Sequence, residues 1–508
     1  MTTTLASTPL EFVESLRSSV WGDLPGQSRV ELGQYFTPEP LARLIADRIK
    51  LDHMSSDQGA VRILDPGAGV GSLGVSLVER VVRLAPGRPI HLTAVEVAPD
   101  VVVALNEVRD MTVQWASELG TELTFEVVQG DFLEWASNQL GLFADRPLYD
   151  LAIMNPPFKK ISARGRSRRI TEQAACEVTN LYAAFLALGI RLLRNGGRLS
   201  AITPRSFTNG PYFRTFRSFL NQHANFETVD LFESRSSLFA DSSVLQENVV
   251  FSMVSRAERP RRLRLLFHGR DGSVEEREAD YSSFFPSDDP ELFIYLRNGG
   301  EDHETAKRVN TLPCQLEDLG ISVSTGRVVA FRSKEDLRDT PGDSTCPLIY
   351  PQHLRGGVVS WPLDSKKPNA IIVRDETASM LFPAGHYVAV KRFTTKEERR
   401  RLVPTWVPAD AFEAENVAFE NHLNVFHRGG AGLERDLAVG LALYLGSSTV
   451  DSYFRQFSGH TQVNATDLRC LHYPDAASLA ALGARTQEPG SLDQPQIDRM
   501  LDAEIWAG

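Results

Sequence analysis

The first half of the chain predicts an α/β fold built on a doubly wound, mostly parallel sheet, and three observations predict it. Short β-branched runs recur at strand length, helix-length segments separate them, and turns rich in glycine or proline close several of the strands. Residues 61–65 (VRILD) form the first such strand and lead through a glycine-rich turn into the helical stretch 72–84 (SLGVSLVERVVRL). The next strand, HLTAVE, ends at Glu96, and a helix follows through VVVALNEV. FEVVQGD carries the third strand to Asp131, and LYDLAIMN carries the fourth to Asn155. NLYAAFLALGIRLLRNGG predicts a helix stopped by its glycine pair acting as a C-cap, after which LSAITP resumes the strand pattern.

After about Ser255 the rhythm changes. A charged, turn-rich stretch gives way to short strand-like runs in VSTGRVVAFRS, GGVVSWPL, NAIIVRD and YVAVKRF, joined by long loops. LAVGLALYLG, near Leu437, is too short to span a membrane and predicts a buried helix. KEERRR, from Lys396 to Arg401, predicts a helix surface. The expected organisation is an N-terminal helical segment over 1–32, an α/β domain over 33–255, a linker over 256–309 and an α+β domain over 310–508.

Composition narrows the function classes. Of 508 residues, 54 are Lys or Arg and 65 are Asp or Glu, a net charge of −11, so bulk positive charge does not drive any nucleic-acid binding. Local basic grooves remain open. The four cysteines, Cys176, Cys314, Cys346 and Cys470, lie far apart and form no C-x-x-C pair, which argues against a zinc site or a disulfide framework. The eleven histidines make no H-E-x-x-H or similar cluster, and no metal is expected. With no apolar signal segment at the N-terminus, a cytoplasmic protein is expected.

Two motifs carry chemistry. Asp65-Pro66-Gly67-Ala68-Gly69-Val70-Gly71 sits where a strand turns into a helix, and glycines there let the backbone approach a ligand closely. Glycine turns after strands are common, so this signal is weak alone. It gains weight from Glu96, placed to accept hydrogen bonds from ribose hydroxyls, and from Asp131-Phe132, placed to supply an adenine pocket with an amide donor and an apolar wall. The bland reading is that these carboxylates cap helices. Three strand ends in step favour a nucleoside ligand.

The second motif is Asn155-Pro156-Pro157-Phe158. Two prolines stiffen the loop and remove two backbone donors, leaving the Asn155 side-chain oxygen and the Pro156 carbonyl as acceptors. Such a pair can hold both hydrogens of an aromatic amino group and free its nitrogen lone pair for attack. Phe158 offers a flat face to the ring.

Taken together, DPGAGVG, Glu96, Asp131-Phe132 and NPPF resemble the motif series of S-adenosylmethionine-dependent amino-methyltransferases acting on DNA adenine. GQYFTPEPLARLIADRI, upstream of the glycine motif, resembles the cofactor segment of the gamma class, and the motif order is that of the class. The matches cover about Gly33 to Val250; FSGHTQVNATDLR and VSTGRVVAFR are similar to the C-terminal half of type II restriction-modification methylases, with the PstI-like branch the best fit.

The resemblance implies a Rossmann-like methyltransferase domain followed by a target-recognition domain. It also implies roles for named residues. Phe36, Thr37 and Pro38 would line the methionine end of S-adenosyl-L-methionine, with Asp65, Gly67 and Gly69 under its carboxylate and amino group. Glu96 would hold the ribose, and Asp131 and Phe132 the adenine. Asn155, Pro156, Pro157 and Phe158 would grip a target adenine rotated out of the duplex. A second aromatic is expected on the far face of that base; Phe239 is the choice, with Phe232 and Phe251 competing.

Two regions are candidates for contact with double-stranded DNA. Lys159, Lys160, Arg164, Arg166, Arg168 and Arg169 follow NPPF directly with no acid among them, which reads as a phosphate clamp; the bland reading is a solvated loop. His460, Gln462 and Asn464, with the stretch Asn421-His422-Leu423-Asn424, carry side chains able to read base edges, although most polar loops read nothing. Rival readings are an N-P-P-aromatic methyltransferase acting on RNA guanine or protein glutamine, one acting on cytosine N4 in DNA, and an idle DNA-binding subunit. No nuclease signature stands out, so any cognate restriction endonuclease is expected to be a separate chain, and the enzyme a monomer.

Overall fold

The computed structural model describes all residues except 1–7, 24–36, 52–58, 143–148, 163–164, 210, 233–247, 270, 290–291, 297–299, 395–397, 458–461, 488 and 507–508. The chain divides into two compact units, Met1–Ile294 and Tyr295–Gly508.

The first unit is built on one nine-stranded sheet. Its strands are β1 (Val61–Pro66), β2 (Ile90–Glu96), β3 (Leu123–Gln129), β4 (Tyr149–Met154), β5 (Leu193–Pro204), β6 (Ala224–Phe232), β7 (Asn248–Ser255), β8 (Arg262–His268) and β9 (Val274–Asp280). The spatial order is β3-β2-β1-β4-β5-β7-β6-β8-β9. β1 to β5 run parallel, and β7 is antiparallel to both of its neighbours. The order reverses between β1 and β4, the switch point at which open α/β sheets bind ligands beyond the carboxyl ends of their strands.

The helices of this unit are α1 (Pro9–Asp23), α2 (Glu39–Asp47), α3 (Ser72–Leu84), α4 (Pro99–Glu118), α5 (Phe132–Leu142), α6 (Arg166–Ala174), α7 (Leu181–Leu192) and α8 (Arg214–His223). β1 is buried throughout except at Arg62, the near-continuous apolar run of a parallel strand covered on both faces. α3 buries Leu73, Val75, Leu77, Val78 and Val81 into the same core.

Two expectations need correction here. The glycine pair does not cap α7, which ends at Leu192. Instead β4 pairs Tyr149 with Leu193 and then Leu151 with Arg198, so Gly196 and Gly197 lie in a register-shifting bulge. Gly196 has φ +75°, and a Cβ on Gly197 would sit a tight 3.1 Å from the Asp150 carbonyl, so both positions favour glycine. The stretch 256–309, expected as a linker, contributes β8 and β9 to the sheet. Its many charges pair across the hairpin, Arg264 with Glu276 at 2.5 Å and Arg262 with Glu278 at 2.9 Å, which blunts an exposed edge strand.

The second unit is α+β. Ser322–Thr325, Leu423–His427, Tyr387–Lys391 and Pro404–Val407 form an antiparallel four-stranded sheet in that order. A second, five-stranded sheet holds Ala370–Ile372, Thr345–Ile349 and Asn416–Phe419 at its centre. Of VSTGRVVAFRS only its first three residues are strand, within Ser322–Thr325, and of GGVVSWPL only Val358–Val359. LAVGLALYLG falls in the buried helix Arg435–Leu445, which packs on Ala476–Ala484 through glycines; a Cβ on Gly440 would lie 1.8 Å from the Leu479 carbonyl. KEERRR is no helix surface where it is described. Arg401 is fully buried, its guanidinium on the Thr394 carbonyl and its backbone N–H donating to Asp451 Oδ1 at 2.8 Å, so internal acceptors hold a charge expected in solvent.

Candidate active site

Strand register brings the two motifs together. Ile63 pairs with Leu151 and Leu64 with Ala152 in parallel, so the glycine motif after β1 and NPPF after β4 leave adjacent strands at the same edge of the sheet. Pro66 pairs with Val95, and Glu96 with Gln129, which carries the same edge outward to Glu96 and then Asp131. Residues scattered over about a hundred positions thus share one rim.

The glycine loop turns through left-handed backbone at Gly67 (φ +69°), Gly69 (φ +57°) and Gly71 (φ +91°), conformations that only glycine adopts without strain. The N–H groups of Gly67 and Ala68 both donate to the Val95 carbonyl, at 2.8 and 3.0 Å. A Cβ on Gly67 would meet the ring of Phe185 at 3.2 Å. Glu96 is buried and anchors this loop: one oxygen accepts from Gly69 N–H at 2.9 Å, the other from Val97 and Ala98 N–H at 2.8 and 2.9 Å. Asp131 is exposed, and its Oδ1 caps α5 by accepting from Leu133 and Glu134 N–H at 2.8 and 3.1 Å. The capping alternative is therefore realised for that oxygen. Phe132 is buried with its ring centroid 4.8 Å from that of Phe185.

Asp65 is unusual. It is buried, Oδ2 accepts from Gly74 N–H at 2.8 Å, and Oδ1 has no hydrogen-bond partner among the described residues. Burial pushes its pKa up to about 7; the Gly74 bond opposes this and nearby Glu96 adds to it.

At the other motif, Asn155 is half-buried and its Nδ2 donates to Thr37 Oγ1 at 3.1 Å, across 118 positions of sequence. Thr37 is buried at the start of α2, and Pro38 is its N-cap. The loop beyond NPPF is pinned by antiparallel pairing: Leu181 N–H donates to the Lys159 carbonyl, and Ile161 N–H to the Thr179 carbonyl, both at 2.8 Å. Phe158 meets Tyr182 edge to face, centroids 6.4 Å apart, and Tyr182 is held by Ser206 at 2.8 Å and by stacking on Phe213. Tyr182 and Phe185 are the residues that sequence reasoning missed. They stand three apart on α7, so one helical face props both motifs, and the aromatic pair at that spacing in NLYAAF was the available signal.

The remaining site residues divide. Phe36, Phe239, Arg164 and His460 lie outside the described residues. Phe251 is buried against Phe207 and Phe226, which removes it as a base-stacking candidate, and Phe232 stacks on His268 at 4.5 Å. The basic run is less free of acids than its sequence implied: Arg166 pairs with Glu134 at 2.8 Å, and Arg168 with Glu177. Lys159, Lys160 and Arg169 are exposed. Asn464 caps the helix Ala465–Arg469, its amide and backbone N–H both donating to Asp467 at 3.1 Å, so this side chain is committed to the fold and not to a base. Gln462 is half-buried in a bridge with Phe393.

Comparison with known proteins decides the family. The chain is 37% identical over 497 residues to the type II methyltransferase M.PstI of Providencia stuartii, covering 97% of this chain and 96% of the relative. It is 38% identical over 504 residues to the type II methyltransferase M.BsuBI of Bacillus subtilis, covering 97% of each. The chain belongs to the type II restriction-modification methyltransferase family. A profile of the Eco57I restriction-modification methylase family matches residues 106–239, the span that contains Asp131 and NPPF. Among solved structures, the ATP-dependent type ISP restriction-modification enzyme LlaBIII, solved bound to DNA, shares the fold at TM-score 0.51 and 10% identity, over 94% of this chain and 40% of that one. The methyltransferase sheet of this family is therefore the frame on which the rim described above is built. No helix among the described residues is long and apolar enough to cross a membrane.

Proposed function

We propose that the chain transfers a methyl group from S-adenosyl-L-methionine to the exocyclic N6 of adenine in double-stranded DNA, as the modification enzyme of a restriction-modification system. The observation that supports this reading is the parallel pairing of β1 with β4, which carries the glycine motif and NPPF on adjacent strands that end at the same edge of the sheet. The loop fits the cofactor on two counts. Gly67 lets the loop turn through left-handed backbone close against the Phe185 ring, and Asp65 Oδ1 is a buried acceptor with no partner among the described residues, suited to an ammonium group.

Thr37, Pro38, Asp65, Gly67 and Gly69 would hold the methionine end, Glu96 the ribose, and Asp131 with Phe132 the adenine. When bound, the cofactor supplies an electrophilic sulfonium methyl. The protein orients the target. The Asn155 side-chain oxygen and the Pro156 carbonyl accept the two amino hydrogens, Phe158 stacks on the base, and the nitrogen lone pair is left directed for in-line attack. Asn rather than Ser before the two prolines favours adenine over cytosine. Lys159, Lys160 and Arg169 would contact phosphates near the extruded base.

Expression in a methylation-free host, followed by single-molecule sequencing, reports the modified base and its context together. Methylated adenine at one recurring site is expected; N4-methylcytosine or unmodified DNA would refute the assignment. Asn155→Ala should abolish methyl transfer in a tritiated-methyl assay while largely sparing cofactor binding.

A further inference from the structure

Three distant segments of the second unit converge on one exposed tip. Lys391 closes the strand Tyr387–Lys391, and Arg392 N–H continues its ladder to the His422 carbonyl at 2.9 Å. Val463 N–H donates to the Arg392 carbonyl at 2.7 Å, and Phe393 bridges to Gln462. Asn424, fully buried, ties the arrangement from below by donating to the Val463 carbonyl at 2.7 Å.

The tip is held by a buried carboxylate. Glu420 accepts from His422 N–H at 2.9 Å and from His422 Nδ1 at 2.6 Å. With Nδ1–H donated to Glu420, the imidazole is held in one orientation and Nε2 is its second polar atom. The His422 side chain is still 50% exposed. Phe393, 45% exposed, lies 5.0 Å from that ring, and the Arg392 guanidinium lies 5.9 Å from the Phe393 centroid. Buried polar groups are costly to assemble, and here they fix the aim of side chains that face solvent. Within 391–394, 420–424 and 462–464 the only carboxylate is Glu420, which is buried, whereas Lys391 and Arg392 add positive charge. A fixed imidazole, an amide and an apolar ring, bordered by cations and with no exposed acid within these three segments, match a groove lined with phosphates.

We propose that Phe393, His422 and Gln462 form the base-reading tip of the second unit, contacting base edges of duplex DNA. The inference rests on the DNA reading given above. Nε2 of His422 suits a hydrogen-bonding group on a base edge, the Gln462 amide suits the paired donor and acceptor of adenine, and Phe393 suits a thymine methyl.

The test uses the full-length enzyme. The recognised site is first defined by sequencing DNA from a methylation-free host, and kcat/KM is then measured on that duplex and on its single-base-pair substitutions. Phe393→Ala, His422→Ala and Gln462→Ala are each expected to lose about ten-fold or more in discrimination at one or two base pairs, with thermal stability retained. Discrimination unchanged in all three overturns the inference, as does a loss spread evenly over every position, which marks a phosphate anchor. If the unaltered enzyme methylates no DNA, the functional reading falls and takes the tip with it; if it methylates a defined site that the variants read identically, only the tip falls.

Discussion

Thr37→Val tests how the target acceptor is aimed. The Asn155 amide is chemically two-ended: turned one way it offers Oδ1 to an amino group, turned the other way it offers a donor that repels one. Its Nδ2 contact to the Thr37 hydroxyl, 3.1 Å long and on a buried partner, selects the productive orientation. Valine keeps the shape of threonine and removes the acceptor. Leaving one donor of a part-buried amide without this partner costs about 1–3 kcal/mol. At about 1.4 kcal/mol per decade, that corresponds to a rate loss of roughly 5- to 150-fold if the whole cost falls on the productive orientation. The assay is single-turnover methyl transfer at saturating cofactor, with S-adenosylhomocysteine binding measured separately by calorimetry. The variant should be slow at saturating cofactor beyond any loss of affinity that the place of Thr37 at the methionine end brings, and Thr37→Ser should recover most of the rate. A variant of normal single-turnover rate, or one whose defect lies wholly in cofactor affinity, would refute this reasoning.

Other outcomes follow from the same geometry. Asp65, with its pKa raised to about 7, binds a proton in the folded state where the unfolded chain, near pKa 4, does not; its contribution to stability is therefore full at low pH and falls as pH rises through about 7. Thermal melts of Asp65→Asn should lose that pH-dependent component relative to the unaltered chain, and cofactor affinity in the unaltered chain should rise over the same range as the carboxylate ionises. Asp230, fully buried, accepts two hydrogen bonds from Arg48 at 2.7 Å and faces His268 Nε2 at 2.7 Å, so Asp230→Ala should destabilise the fold by about 3–5 kcal/mol in denaturant titrations by leaving Arg48 uncompensated. Replacing Lys159, Lys160 and Arg169 by Gln should lower the salt slope of DNA binding by about 0.9 for each phosphate that is no longer neutralised, whereas Arg166→Gln, whose charge already faces Glu134, should change it less. An unchanged slope in the triple variant would show that these side chains do not touch the DNA backbone.

The alternation of β1 to β5 with their helices, and the chemistry of the two loops, follow from the order of residues alone. Strand and helix periods are local, and glycines and prolines act through their own backbone. DPGAGVG and NPPF were legible for that reason, and each occupies the strand end where it was expected. Which residues meet across the chain is a property of the folded arrangement. The pairing of β1 with β4 put the two motifs on adjacent strands, and the segment leading into α2 brought Thr37 to the Asn155 amide. It also decided where charge is spent. Arg166 and Arg168 found acids that are absent from their own run, Arg401 was drawn into the interior by Asp451 and backbone carbonyls, and Asn464 became a helix cap. Partners of this kind are set by through-space distance and by the cost of burying an unpaired polar group, and neither is written in the order of neighbouring residues.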